Sequence, residues 1–167
     1  MGQEKPSFIT NRTFDDVKRW QALRDKGWHN MTEEERKEWL GEIETTPAAT
    51  RGMYTHNDLN RVEKAVEAIS LRFKDAGYKT PELKTKTNWT YRDYLTKADM
   101  ERCLHNVSVL REFLVVFRNT PNTPNIDARL NYKFANDIEK ILNDVYNIAD
   151  GLVRSRYYTG EIFTGEV

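Results

Sequence analysis

Three histidines, one cysteine and 26 carboxylate side chains are the groups in this 167-residue sequence that could bind a metal or move a proton. A metal centre would require His29, His56 and His105 to converge. They sit on three separate segments, and no His-x-x-x-His or Glu-x-x-His spacing places two ligands on one helix face. His56-Asn57-Asp58 stands just before Leu59, where helix capping accounts for it. Cys103 lies between Met100 and Leu104 on an apolar stripe, where a thiol behaves as a small hydrophobe. A nucleophilic cysteine would instead need exposure and a neighbouring base or cation. The eight glycines are scattered as punctuation, with no phosphate-cradling loop, no Gly-x-Ser-x-Gly and no paired-carboxylate motif. The expectation is a non-enzyme without catalytic residues, metal ligands, cofactor or small-molecule substrate.

Charge and hydropathy narrow the classes further. The 26 basic and 26 acidic side chains cancel, whereas a nucleic-acid binder normally carries a basic excess to displace counterions. No run approaches 18 apolar residues, so no membrane span is expected. Met1 to Pro6 lacks the apolar core of a signal peptide, and a lone cysteine forms no internal disulfide. What stands out is the aromatic content: 4 Trp, 8 Tyr and 7 Phe. Such rings bury large areas at interfaces for little entropy. Trp20, Trp28 and Trp39 read as sealing a small core. The candidate partner-binding residues are Trp89, Tyr91, Tyr157, Tyr158, Ile162 and Phe163. Tyr157, Tyr158 and Phe163 stand beside, and Ile162 within, a doublet, Thr159-Gly160-Glu161-Ile162 and Thr164-Gly165-Glu166-Val167.

These groups must be carried by helices. Thr13 with Asp16 forms a capping pair before Phe14, Val17, Trp20 and Leu23, and Gly27 stops the helix. Thr32 with Glu35 opens a second short helix that closes at Trp39-Leu40-Gly41. Glu44 to Arg51 reads as loop. Leu59, Val62, Val66, Ile69 and Phe73 stripe a third helix that starts near Asn57 or Asp58 and ends at Gly77. Tyr78 to Thr90 reads as an extended connection or a short strand, followed by a turn at Thr90–Asp93. Thr96 and Asp99 open a fourth helix whose stripe continues from Met100 through Leu110 to Leu114 and Phe117. Asn119 to Pro124 breaks it, and a fifth helix carries Phe134, Ile138, Ile141, Leu142, Val145, Ile148 and Leu152. The expectation is one all-α domain over 1–167. It comprises a short N-terminal helical pair (7–43), a core of three longer antiparallel helices (57–156) and a short extended C-terminal tail (157–167).

Several stretches, in order, resemble a family of small proteins encoded among the tail genes of prophages in Gram-positive bacteria. They are Asn11-Arg12-Thr13, Asp16-Val17, Gly27-Trp28 and Asn30 to Glu35, then Glu38-Trp39-Leu40, Tyr54 and Asn57 to Glu63. Thr85 to Trp89, Met100-Glu101-Arg102, Ala135 to Glu139, Ile141-Leu142, Gly160-Glu161-Ile162 and Gly165-Glu166-Val167 complete the set. The sequence departs from the family at Thr46 to Arg51, which looks like an insertion, and at the more apolar Phe113 to Phe117.

The resemblance implies a virion component of the tail, baseplate or fibre region, made in the bacterial host cytoplasm, with no catalytic residues to carry over. Its partners would be phage tail or baseplate proteins, or further copies of itself, with no nucleic acid and no membrane. The alternative reading is a small phage-encoded helical binder that inhibits or regulates a host protein. A hydrolase assembled from distant residues is a third class.

Overall fold

The computed structural model describes residues 5–125 and 130–160. It is all-helical, and no strand occurs among the described residues. α1 (Phe14–Lys26), a 3-10 turn (Trp28–Asn30), α2 (Glu33–Leu40) and the one-turn α3 (Ala49–Gly52) form an N-terminal lobe. α4 (His56–Asp75), α5 (Lys97–Phe113) and α6 (Tyr132–Gly160) build the main core. α3 begins inside the stretch expected to be loop, Glu44 to Arg51, and ends one residue beyond it.

The capping pairs form as their spacing requires. Asp16 accepts from the Thr13 N–H and hydroxyl, Glu35 from the Thr32 N–H, Asp58 from the Thr55 N–H and Asp99 from the Thr96 hydroxyl. Each such cap is worth about 1 kcal/mol. Gly27 and Gly41 follow α1 and α2 with φ of 74° and 78°, a backbone region that side chains with a Cβ rarely enter.

The three long helices run parallel, which corrects the antiparallel expectation. Along α4 and α6, Arg61 meets Glu139, Arg72 meets Tyr146 and Asp150, and the Asp75 carbonyl accepts from Arg156. The partner number rises with the residue number, as only parallel helices allow. Glu63 with Arg102 and Phe73 with Phe113 set the same direction for α4 and α5. Short connections would have forced neighbouring helices antiparallel. Here residues 76–96 run back along the bundle as a largely extended segment, and the described residues 114–125 begin the same return after α5. Roughly 20 extended residues reach well beyond the ~26 Å length of a 17-residue helix such as α5.

Side chains from the helices hold these return segments in place. Behind α4, Thr80 bonds Ser70, Thr85 bonds Glu67 and Trp89 bonds Asn60, so the segment runs antiparallel to the helix. Asn60 clamps both backbone groups of Trp89: its Oδ1 accepts the N–H and its Nδ2 donates to the carbonyl, both at 2.8 Å. Asn136 on α6 grips Arg12 in the same way, at 3.0 and 2.9 Å. The Lys84 carbonyl accepts from both Arg102 and Asn106, and the Thr120 hydroxyl donates to buried Asp144. The clamps satisfy backbone groups that would have no sheet partner.

The core joins Val66, Ile69 and Phe73 of α4 to Cys103, Val107 and Leu110 of α5 and Ile138, Ile141 and Leu142 of α6. α5 ends at Phe113, four residues before the stripe was expected to end. Leu114 is extended, with φ −137° and ψ 168°. Leu114 and Val116 then pack on the core, while Val115 is 92% exposed. An all-apolar run satisfies both the helical and the two-residue period, and the adjacent β-branched valines favour the extended one. At the same end of the core, α6 continues through Gly160, so an extended tail beginning at 157 is replaced by helix, and 161–167 lie outside the described residues. Leu23, Met31 and Ala49, with Trp39 against them, make a second cluster in the N-terminal lobe.

Candidate interaction groove

Of two buried charge clusters, one fixes how the N-terminal lobe sits on the helices and the other holds the lobe itself together. In the first, Arg12 Nη2 donates to Asp58 Oδ1 (2.9 Å) and Glu139 Oε1 (2.7 Å), and Arg61 Nη2 reaches the same two oxygens at 2.6 and 2.7 Å. Glu139 Oε2 accepts the Ile9 N–H at 2.6 Å, and Arg12 Nη1 donates to the Ile9 carbonyl. The residues 5–12 are thereby strapped along α6, with Lys5 reaching Asn147. Burial disfavours the Arg61 cation, but Glu139 and Asp58 outweigh that and keep it charged. Two cations and two anions leave the cluster neutral.

The second cluster knits α1, α2 and α3. Asp16 uses one carboxylate oxygen for its cap and the other for the Ala48 N–H, at 2.7 Å. Glu38 takes Arg19 through Nε and Nη2 and also accepts the Ala49 N–H. Burial pushes both carboxyls up, yet hydrogen bonds outweigh it: from Ala48 and Thr13 to Asp16, and from Arg19, Thr45 and Ala49 to Glu38. Both pKa values end below their ordinary 3.8 and 4.5. Below those ordinary values the unfolded chain binds protons that the folded lobe refuses. The stabilisation is therefore complete above about pH 4.5 and disappears as pH falls through the lower folded values. Urea titrations followed by tryptophan fluorescence should show a midpoint that falls between pH 5 and 3. The double variant Asp16→Asn, Glu38→Gln should flatten that slope, and an unchanged slope would refute the assignment.

Between the lobe and the start of α6 lies an open groove of about 510 Å³. Phe14, Val17 and Trp20 of α1 form one wall, Met53 and Tyr54 the floor beside Gly52, and Leu130, Tyr132 and Ala135 the other wall. Phe14 is 54% exposed, and its ring faces that of Tyr132 at 6.4 Å between centroids. Cations lie over the rim rings: Lys18 over Phe14 (4.6 Å), Arg24 over Trp20 (5.0 Å) and Lys133 over Tyr132 (6.0 Å). Arg51 joins them at the edge. Lys18, Arg24 and Arg51 also have the exposed acids Asp15, Asp25 and Glu44 beside them. The groove offers apolar area and cation-capped rings.

The six residues singled out from sequence are dispersed. Trp89 is 3% exposed, with its backbone clamped by Asn60 and Lys86 3.8 Å over its ring, so it anchors the return segment and presents no face to a partner. Tyr91 is 76% exposed in the Thr90–Asp93 turn. Tyr157 and Tyr158 fall in the last turns of α6, and Ile162 and Phe163 lie outside the described residues. Neither Trp89 nor Tyr91 lines the groove. Its residues escaped notice because Phe14 and Trp20 read as core positions and nothing local connects them with Tyr132. Trp28 is half exposed beneath Arg36 and does not seal a core.

The chemically capable groups are placed as follows. His29 and His105 are exposed and His56 stands in the first turn of α4. No group of three or more His, Cys, Asp or Glu is arranged to hold a metal ion among the described residues. Cys103 is buried beside Glu63, and burial pushes its thiol up to about 12. Among the described residues no helix is long and apolar enough to cross a membrane. No known protein family, no curated protein and no solved structure matches this chain.

Proposed function

We propose that this chain is a non-enzymatic virion component of the tail, baseplate or fibre region of a bacteriophage, acting by docking onto other proteins. The single observation that carries the docking role is the groove, an open apolar trough held between two rigid parts of the fold by buried ion pairs. The phage assignment rests on the ordered sequence resemblance described above. Asp16, Glu38, Arg61 and Cys103 are engaged in caps, ion pairs or the core, and Tyr54 on the groove floor has its hydroxyl pushed well above the ordinary value by burial, which keeps it protonated.

The experiment is mass spectrometry of purified particles from an induced host, with wild type and Phe14→Glu compared in parallel. Wild type should be present at a fixed stoichiometry relative to the tail proteins. The groove variant should be depleted at least tenfold while its soluble level is unchanged. Wild type absent from particles but co-purifying with one host protein would reject this reading in favour of an intracellular inhibitor.

A further inference from the structure

The groove has the chemistry to take a short segment that is both acidic and aromatic. Its walls are Phe14, Trp20 and Tyr132 over a floor that includes Met53, Arg51 lies at its edge, and Lys18, Arg24 and Lys133 sit over the three wall rings. The exposed acid neighbours of three of these cations do not block it, because surface ion pairs contribute little and exchange partners readily. The sequence holds such a segment just after α6: Glu161-Ile162-Phe163, followed by Glu166-Val167. Its two glutamates match the cationic rim, and its isoleucine and phenylalanine match the walls.

Geometry decides which copy supplies the segment. Tyr132 and Ala135 border the groove at the first turn of α6, while Gly160 is the last residue of that 29-residue helix, about 40 Å away. Phe163 is three residues beyond Gly160, a reach of only ~10 Å. A chain therefore cannot place its own Ile162 and Phe163 in its own groove. We propose that the groove binds residues 161–167 of a second copy, so that the chain associates head to tail. This inference rests on the docking role of the groove and names its occupant.

Such a contact is heterologous: the two surfaces differ, so repetition gives a closed ring or an open string of copies rather than a two-fold dimer. A single short segment covers less than the ~1,200 Å² of a stable interface, so each contact is weak and assembly depends on concentration.

Sedimentation equilibrium of the full chain tests this. Average mass should rise with concentration. Phe14→Glu in the groove and Phe163→Glu in the segment should each leave a monomer, while the exposed control Val115→Glu should associate as wild type does. Mixing the two defective variants restores one intact groove and one intact segment, so a 1:1 dimer that grows no further is expected. A labelled peptide of residues 159–167 should bind the wild-type chain and lose at least tenfold in affinity against Phe14→Glu. The proposal is overturned by a wild-type chain that stays monomeric without binding the peptide, or by association that neither variant disturbs. These readouts are independent of particle incorporation. A monomer found in particles would reject head-to-tail association alone, and an associating chain missing from particles would reject the virion role alone.

Discussion

Glu139→Ala should destabilise the protein by about 3–5 kcal/mol, the cost of removing one partner from a buried charge cluster. The Glu139 side chain is 0% exposed and accepts from Arg12, from Arg61 and from the Ile9 N–H. Its loss leaves two guanidinium groups with Asp58 alone, one of them almost entirely buried, and strands a backbone N–H. Because the strap of residues 5–12 is tied through the same carboxylate, Glu139→Ala should also release it, visible as faster proteolysis near Lys5. The paired replacement Arg12→Met, Glu139→Leu removes one charge of each sign and leaves Asp58 with Arg61 as a neutral pair. It should cost less than the sum of its single changes, giving a coupling energy of about 2 kcal/mol in a double-mutant cycle. Urea unfolding of the four proteins measures this. A Glu139→Ala cost under about 1 kcal/mol would mean that water compensates the cluster and that it does not hold the lobe.

Gly52→Ala should be similarly damaging, for a steric reason. A Cβ at this position would lie 2.1 Å from the Asp16 carbonyl oxygen and 2.8 Å from the Trp20 Cβ. Both obstacles belong to α1 itself, so no side-chain rotation relieves them. α3 must lift off α1, breaking the Ala48–Asp16 and Ala49–Glu38 hydrogen bonds. Overpacking typically costs ~1–3 kcal/mol, and this site belongs at or above the upper end because backbone has to move. The near-ultraviolet circular dichroism of Trp20 should weaken while the helical signal persists, and peptide binding in the groove should fall with it. Gly151→Ala is the control. Nothing lies within 4 Å of a Cβ there and the residue is inside α6, so it should stabilise by about 0.5–1 kcal/mol. Equal melting temperatures for Gly52→Ala and wild type would show that the α1–α3 contact is not close-packed.

The contrast between these two glycines shows what local sequence can carry. In the sequence Gly151 lies within a helical stripe and Gly52 merely follows a stretch that reads as loop, and only the packing of α3 on α1 marks the second as the indispensable one. Arg12 shows the same limit: next to the Asn11-Thr13 capping region it reads as an ordinary surface arginine, and no local pattern reveals that it is buried against α4 and α6. The groove was equally hidden, since its walls come from α1, the segment after α3 and the start of α6. Trp89 illustrates the converse, a large aromatic in a polar stretch whose burial depends on Asn60, 29 residues earlier.

By itself the sequence determined the all-helical class, the capped starts of α1, α2 and α5 and most of the core stripe. Capping and amphipathic periodicity act over three to seven residues, within reach of a single window. The tertiary structure alone decided direction and partnership. Parallel helices, return segments clamped by asparagines, and a groove between lobes depend on which distant surfaces meet. The capping carboxylates Asp16 and Asp58 carry both kinds of information. One oxygen of each serves the local turn that the sequence announces. The other finds its partner, the Ala48 N–H or the Arg12 and Arg61 guanidiniums, only once the chain has folded.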